Sequence, residues 1–194
     1  GKNLNPCIDC RIFILKKAKA YAKKINAKFI FTGEVLNERP MSQYKNALFI
    51  IEKEAGLKGK LLRPLSAKLL PETEAEKKHW VDRNRLIAIS GRSRKPQIKL
   101  AKGLNIEDYK CPGGGCLLTD ENFARKMKDL LDHKNNITTK DILLLKMGRH
   151  FRLGKNKIIV GRNEKENKQL LILKNKNDLV FEVIDEMGPT TILQ

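Results

Sequence analysis

The sequence predicts an α/β protein: a first domain built on a parallel sheet, followed by a small α+β domain. Two observations support this class. Between residues 11 and 67, helical and strand patterns alternate, which is typical of a parallel α/β sheet. After a polar stretch, from about residue 140, the pattern changes to short strands around one helix. We therefore predict a boundary near residue 138, which gives domains over residues 1–138 and 139–194.

The first domain begins with an amphipathic helix over residues 11–25, in which apolar side chains recur at helical spacing and lysines occupy the other face. "AKFIFTG" at residues 27–33 is a short buried strand. Ser42 is the expected N-cap of a second helix, which ends near Gly56. "KGKLLRPLSA" at residues 58–67 then supplies the second strand. This order of helix, strand, helix and strand predicts the parallel sheet.

Later elements are shorter. Residues 71–106 are expected to form short helices joined by the basic turn "SGRSRKP", and a glycine-rich loop precedes a helix that Asp120 caps. In the second domain we predict a hairpin that turns at Gly154–Asn156 and two strands within residues 178–194. A helix is expected between them.

The charge of the chain is its strongest bulk signal. Lys and Arg outnumber Asp and Glu by 40 to 22, for a formal net charge of +18, in a chain that is 41% hydrophobic and 32% charged. Such an excess attracts polyanions, of which nucleic acids are the commonest. No apolar run is long enough to span a bilayer, so we expect no membrane partner and a cytoplasmic protein.

Basic and polar side chains cluster at three places suited to phosphate contacts. The predicted RNA-binding residues are Arg92, Arg94, Lys95, Arg149, Arg152, Arg162 and Asn163. Arg149 and Arg152 are expected to point outward from a strand, and Asn163 either binds phosphate or simply starts a helix. The loop "RPMSQ", with Arg39, Ser42 and Gln43, follows a strand end, where α/β folds place ligands; simple helix capping is the alternative.

Four cysteines form two close pairs, Cys7 with Cys10 and Cys111 with Cys116. The spacing leaves four interpretations open: a structural zinc site, an iron–sulfur cluster on three thiolates, a nucleophilic or persulfide-carrying pair, and unrelated thiols. Spacing alone slightly favours zinc. The three histidines show no ligand spacing and are expected at the surface.

The ordered motifs of residues 3–135 resemble the PP-loop ATPase family of tRNA thiouridine synthases. The matching stretches are "NPCIDC", "AKFIFTGEVLNERPMSQ", "LLRPLSAKLLPET", "VDRNRLIAISGRSRKPQI" and "GGCLLTD". More narrowly, they resemble the 2-thiouridylase-like branch, the tRNA (5-methylaminomethyl-2-thiouridylate)-methyltransferase-like proteins. The resemblance implies an adenine nucleotide alpha hydrolase-like parallel sheet. The SGGxDS-type nucleotide loop of that family is missing, so the chain resembles the C-terminal part of a larger enzyme.

On that resemblance, Cys7, Cys10 and Cys116 match the family's cysteine motifs, which hold a [4Fe–4S] cluster or act as a sulfur-handling catalytic pair; Cys111 falls outside them. The implied function is ATP-dependent sulfur transfer from a donor to a tRNA uridine, of the 2- or 4-thiouridine type. ATP and Mg²⁺ are expected in the full-length protein and not in this fragment, which is expected to be inactive alone. The alternative is a non-catalytic RNA-binding protein with structural zinc.

The last part, about residues 140–194, resembles the RNA-binding module known as NFACT-R. The resemblance lies in "VGRNEKEN", in the strand of "DLVF" and in the terminal "GPTTIL". It implies an RNA-binding domain behind a tRNA-modifying one, which agrees with the net charge.

Overall fold

A computed structural model describes residue 4 and residues 6–109 and 116–194, with mixed α/β architecture. The chain forms two compact units: an N-terminal unit over Asn5–Gly114, and a C-terminal unit over Gly115–Gln194 together with Gly1–Leu4. The boundary near residue 138, which concerned a change in sequence pattern, stays a prediction. Within the described part of the chain, no helix is long and apolar enough to cross a membrane.

The N-terminal unit carries a small parallel sheet with helices around it. Its helices and strands are α1 (Cys7–Lys24), β1 (Ile30–Phe31), α2 (Lys45–Ala55), β2 (Leu61–Leu62), α3 (Glu74–Lys77) and α4 (Lys95–Gly103). β1 and β2 pair in parallel, with Ile30 opposite Leu61. The predicted parallel pairing is therefore confirmed, in a sheet of two strands. α1 starts four residues before its predicted first turn, because the apolar periodicity becomes visible only after the Cys-x-x-Cys segment.

Two kinds of contact hold this unit together. An apolar cluster joins α1, α2 and β2; its buried members are Leu15, Ile51, Ala55, Leu57 and Leu61. A buried ionic cluster lies beyond the strand ends, where Arg63 Nε donates to Glu34 Oε2 at 2.9 Å and Arg63 Nη1 donates to Glu52. Both carboxylates are at least nine-tenths buried, so the cluster ties the carboxyl ends of the strands to α2 through charge-assisted hydrogen bonds.

The C-terminal unit is an antiparallel sheet with helices. Its elements are α5 (Glu121–His133), α6 (Thr139–Leu144), β3 (Arg149–Leu153), β4 (Asn156–Val160), α7 (Glu164–Leu173), β5 (Leu179–Phe181) and β6 (Thr191–Leu193). The strand order is β3-β4-β6-β5, with every neighbouring pair antiparallel. The predicted hairpin, the helix after it and the two last strands are confirmed. The core of the unit consists of Leu144, Ile159, Leu170 and Ile192.

Candidate nucleic-acid interface

A cationic groove of about 500 Å³ lies in the C-terminal unit between α5 and the β3–β4 hairpin; we call it the α5–β3 groove. Among the described residues, six cationic side chains and one carboxylate line it: Arg125, Lys126, Arg149, Arg152, Lys157, Arg162 and Asp129. Three of these residues come from the predicted set and four do not. What the groove can bind depends on which of the six positive charges are already neutralised.

Asp129 neutralises part of this charge from inside the groove. It accepts two hydrogen bonds from Arg152, from Nε at 2.9 Å and from Nη2 at 2.8 Å, and a third from the ammonium of Lys157. The Arg152 guanidinium holds the pKa of Asp129 well below its usual range, so the carboxylate is charged at neutral pH. Arg152 is therefore held by an ion pair with α5.

The prediction that Arg149 and Arg152 both point outward is wrong for Arg152. Residues three apart on a strand lie on opposite faces of the sheet, because side chains alternate with a period of two. Arg149 is exposed, whereas Arg152 is half-buried on the other face.

Three groove cations have no carboxylate ion-pair partner among the described residues. Lys126 Nζ donates to the carbonyl oxygens of Leu145 at 3.3 Å and Gly148 at 3.1 Å. Burial, and then the positive charge of Arg162, lower the pKa of Lys126. Arg125 donates to the Asn122 side chain at 3.2 Å, and Arg149 is exposed. These three charges are available to an anion.

Arg162 and Asn163 organise the start of α7. Arg162 forms an ion pair with Glu166, which also accepts from the Gly148 backbone N–H at 3.2 Å. The Arg162 guanidinium lowers the pKa of Glu166 to about 2. Asn163 Oδ1 accepts from the Glu166 N–H at 3.0 Å, so Asn163 is the N-cap of α7, as one of its two predicted roles required.

In the N-terminal unit, the basic turn contacts the residues that precede the "RPMSQ" loop. The Gly91 N–H donates to the Leu36 carbonyl at 2.8 Å, and Arg94 forms an ion pair with Glu38 at 2.7 Å. Arg92 and Lys95 are exposed and have no ion pair within the part of the chain that the structure describes. The structure thus places residues 90–94 beside residues 36–38, directly before the loop of residues 39–43, and Arg94 is neutralised there.

The loop "RPMSQ" is closed by its own hydrogen bonds. Gln43 Oε1 accepts from the Arg39 N–H at 3.1 Å, and the Gln43 carbonyl accepts from the Asn37 N–H at 2.7 Å. Ser42 and Gln43 are only 3% and 2% exposed. The prediction that Ser42 caps α2 is wrong, since the N-cap is Tyr44. Of the three predicted loop residues, only Arg39 is exposed.

The cysteines fall into both units. Cys7 and Cys10 lie on the first turn of α1, with Cys10 exposed and Cys7 half-buried, whereas Cys116 is exposed in the C-terminal unit. Cys111 lies outside the described residues. Among the residues that are described, no group of three or more His, Cys, Asp or Glu side chains could hold a metal ion. The described residues alone therefore form neither an iron–sulfur site nor a zinc site, and these two sites stay predictions.

Arg125, Lys126, Asp129 and Lys157 are absent from the predicted site. Their sequence signal is weak: Arg125 and Asp129 are four residues apart on the polar side of an amphipathic helix, which is the usual pattern of a solvated face. Only the packing of α5 beside β3 turns this side of the helix into one wall of a groove.

The comparison with known protein families bears on this same unit. Residues 148–194 match the family model described as the NFACT protein RNA binding domain. No curated protein and no solved structure matches the chain. The matched segment contains β3 through β6, and α5 precedes it. The C-terminal segment of the chain is therefore similar to an RNA-binding domain, and this match implies an RNA-binding role.

Proposed function

We propose that this chain binds RNA through the α5–β3 groove, and that the RNA is a tRNA. The observation that carries the proposal is the match of residues 148–194 to an RNA-binding domain. The groove supports it, because Arg125, Lys126 and Arg149 present positive charges that no described carboxylate neutralises. Such cations bind the phosphates of a nucleic-acid backbone, and these contacts do not depend on the base sequence. Arg92 and Lys95 of the N-terminal unit add further phosphate contacts.

The test is the affinity of the full chain for tRNA, measured by fluorescence anisotropy over a range of salt concentrations. We expect Arg125→Gln and Lys126→Gln each to weaken binding and to reduce the slope of log Kobs against log salt by about 1, because each phosphate contact releases counterions. Lys128→Gln is the matched control, since Lys128 is an exposed lysine of α5 that does not line the groove. Unchanged affinity and slope in both groove variants would refute the proposed groove.

The finer proposal is that the N-terminal unit takes part in sulfur transfer to a tRNA uridine. Its support is the resemblance of residues 3–135 to thiouridine synthases, together with the placement of Cys7 and Cys10 on one helical turn. The positive end of the α1 dipole favours thiolates there. ATP activation of the uridine carbonyl and a sulfur donor are required from outside this chain. A structural zinc site on Cys7, Cys10, Cys111 and Cys116, without catalysis, is the rival proposal.

The thiouridine content of tRNA distinguishes the sulfur-transfer proposal from the structural-zinc proposal. Under sulfur transfer, Cys7→Ser and Cys10→Ser, introduced at the native locus, abolish the thiouridine that mass spectrometry detects in cellular tRNA, and tRNA affinity stays as in the wild type. Under structural zinc, the same changes lower the melting temperature and release one equivalent of zinc, because metal binding and folding are coupled.

A further inference from the structure

The four-stranded sheet of the C-terminal unit has one covered face and one open face. On the covered face, Ile159 and Ile192 are buried against Leu144 of α6 and Leu170 of α7. On the other face, two rows of side chains run across all four strands. One row is Phe151, Ile158, Leu193 and Leu179, and the other is Arg149, Val160, Thr191 and Phe181. We call this second face the open sheet face.

The open sheet face is apolar where a solvated face should be polar. An antiparallel sheet with one face in water normally alternates hydrophobic inward and polar outward positions. Here Phe151 is 53% exposed and Phe181 is 54% exposed, and Leu153 and Leu179 are exposed still further. A contiguous exposed apolar surface of this kind marks an interaction site.

The charges beside this face point to a nucleic acid as the partner. Phe151 and Arg149 belong to the open sheet face and also line the α5–β3 groove, so the apolar face continues directly into the cationic groove. Arg149 and Phe181 stand at the two ends of one row, on the edge strands β3 and β5. An apolar protein partner would have to leave these cations without counter-charge, whereas a nucleic acid supplies phosphates to the groove and bases to the rings.

Exposed aromatic rings on a sheet recognise nucleotides whose bases are free to stack. Bases within a duplex are already stacked on their neighbours, so a ring on a protein surface reaches only unpaired bases. Such stacking tolerates every base, because each has a π-face. The combination of rings with neighbouring phosphate-binding cations therefore matches single-stranded RNA.

We propose that the open sheet face is a stacking platform for unpaired bases of single-stranded RNA, with Phe151 and Phe181 as the stacking rings. This inference rests on the proposed RNA-binding function and specifies which class of RNA is bound. It also assigns separate tasks to the two surfaces: the α5–β3 groove holds phosphates, and the open sheet face holds bases.

The experiment compares a fluorescent single-stranded 12-mer RNA with a blunt 12-base-pair RNA duplex, each titrated with the full chain. We expect Phe151→Ala to weaken single-strand binding by roughly 5- to 150-fold, the effect of losing one base–aromatic stack, and to leave duplex binding unchanged. The salt dependence of single-strand binding should stay as in the wild type, because no phosphate contact is lost. Phe181→Ala should act in the same way.

Two controls keep the result interpretable. Phe151→Tyr retains the ring and should restore single-strand affinity, which separates stacking from a folding defect. Ile172→Ala removes an apolar side chain that is 74% exposed on α7, away from the sheet, and should have no effect.

Wild-type single-strand affinity in both Phe→Ala variants would overturn the platform. An equal loss on single strand and duplex would also overturn it. Loss of self-association in sedimentation velocity with unchanged RNA binding would instead make the face an interface between two copies of this chain. If the groove variants lose binding and the phenylalanine variants do not, the platform fails while the RNA-binding function stands. If neither set changes binding, the proposed groove fails as well.

Discussion

His150 shows how one residue acquires an environment that its sequence neighbours do not predict. It was expected at the surface, but it is half-buried in the wall of the α5–β3 groove. Its Nε2 contacts the Met147 carbonyl at 2.8 Å, and its Nδ1 is buried without a hydrogen-bond partner among the described residues. Burial, and then the charge of Lys126, lower the pKa of His150 to about 4, so the ring is neutral at pH 7.

This depressed pKa predicts acid destabilisation of the C-terminal unit. Between pH 6.5 and about 4 the unfolded chain binds a proton at His150 and the folded chain does not, so the free energy of unfolding falls as the pH falls. The loss from this group approaches about 3 kcal/mol at pH 4. Urea denaturation followed by circular dichroism at pH 7 and pH 4.5 measures it. His150→Leu should flatten this dependence, whereas His79→Asn, at an exposed site, should retain it.

At the scale of elements, the turn at Gly148 connects three parts of the C-terminal unit. Its carbonyl accepts from Lys126 of α5, and its N–H donates to Glu166 of α7, while the residue itself leads into β3. Gly148 has a φ of +62°, a conformation that L side chains rarely adopt. A Cβ there would lie 2.6 Å from the Val160 carbonyl oxygen, so the close approach of this turn to the end of β4 also requires glycine.

A comparison of Gly148→Ala with Gly154→Ala separates the requirement for a positive φ from the requirement for space at the Cβ position. Gly154 has a similar φ of +58°, but a Cβ there would have no atom within 4 Å. We expect Gly154→Ala to lower the free energy of unfolding by about 1 kcal/mol through backbone strain alone. Gly148→Ala should cost about 2–4 kcal/mol, because the Val160 backbone must also shift. Chemical denaturation of both variants tests this, and equal losses would contradict a role for steric contact.

At the scale of the whole molecule, the two units have separate cores, and their ionic clusters differ in exposure to solvent. The N-terminal unit buries its strongest ionic cluster, Glu34 with Arg63 and Glu52, out of water. The C-terminal unit places its ionic cluster, Asp129 with Arg152 and Lys157, in the wall of an open groove. The first cluster therefore contributes to folding, while the second also positions charges that a polyanion can reach.

Arg63→Leu should therefore destabilise the N-terminal unit and spare RNA binding. Removing the guanidinium leaves the buried Glu52 without its cation and leaves Glu34 with Arg11 alone, whose Nε lies 3.4 Å from Glu34 Oε1. Breaking a buried ion pair in this way costs about 3–5 kcal/mol. Trp80 is the only tryptophan of the chain and lies in this unit, so its fluorescence reports the unfolding midpoint. Lys68→Leu, at an exposed lysine, is the control. RNA affinity in the absence of denaturant should fall by less than about twofold; a larger fall would show that RNA binding also depends on the buried ionic cluster.

Elements with strong local signals were predictable from the sequence. Asp120 caps α5 as predicted, with its Oδ1 accepting from the Phe123 N–H at 2.8 Å, and the hairpin turns at Gly154. The parallel pairing of the first sheet also followed from the order of helices and strands. These features depend on contacts within a few residues, or on the chirality and length of connections, which the sequence displays directly.

The sequence by itself therefore determined the elements with strong local signals, the large positive charge and the presence of a C-terminal segment similar to an RNA-binding domain, but it did not predict α6. Only the tertiary structure decided which cations are free. Asp129 neutralises Arg152 from 23 residues away, while Arg125 and Lys126, which no local pattern distinguished, form no ion pair with a carboxylate in the described part of the chain. Ion pairing depends on which surfaces pack together, and neither helical nor strand periodicity records that choice.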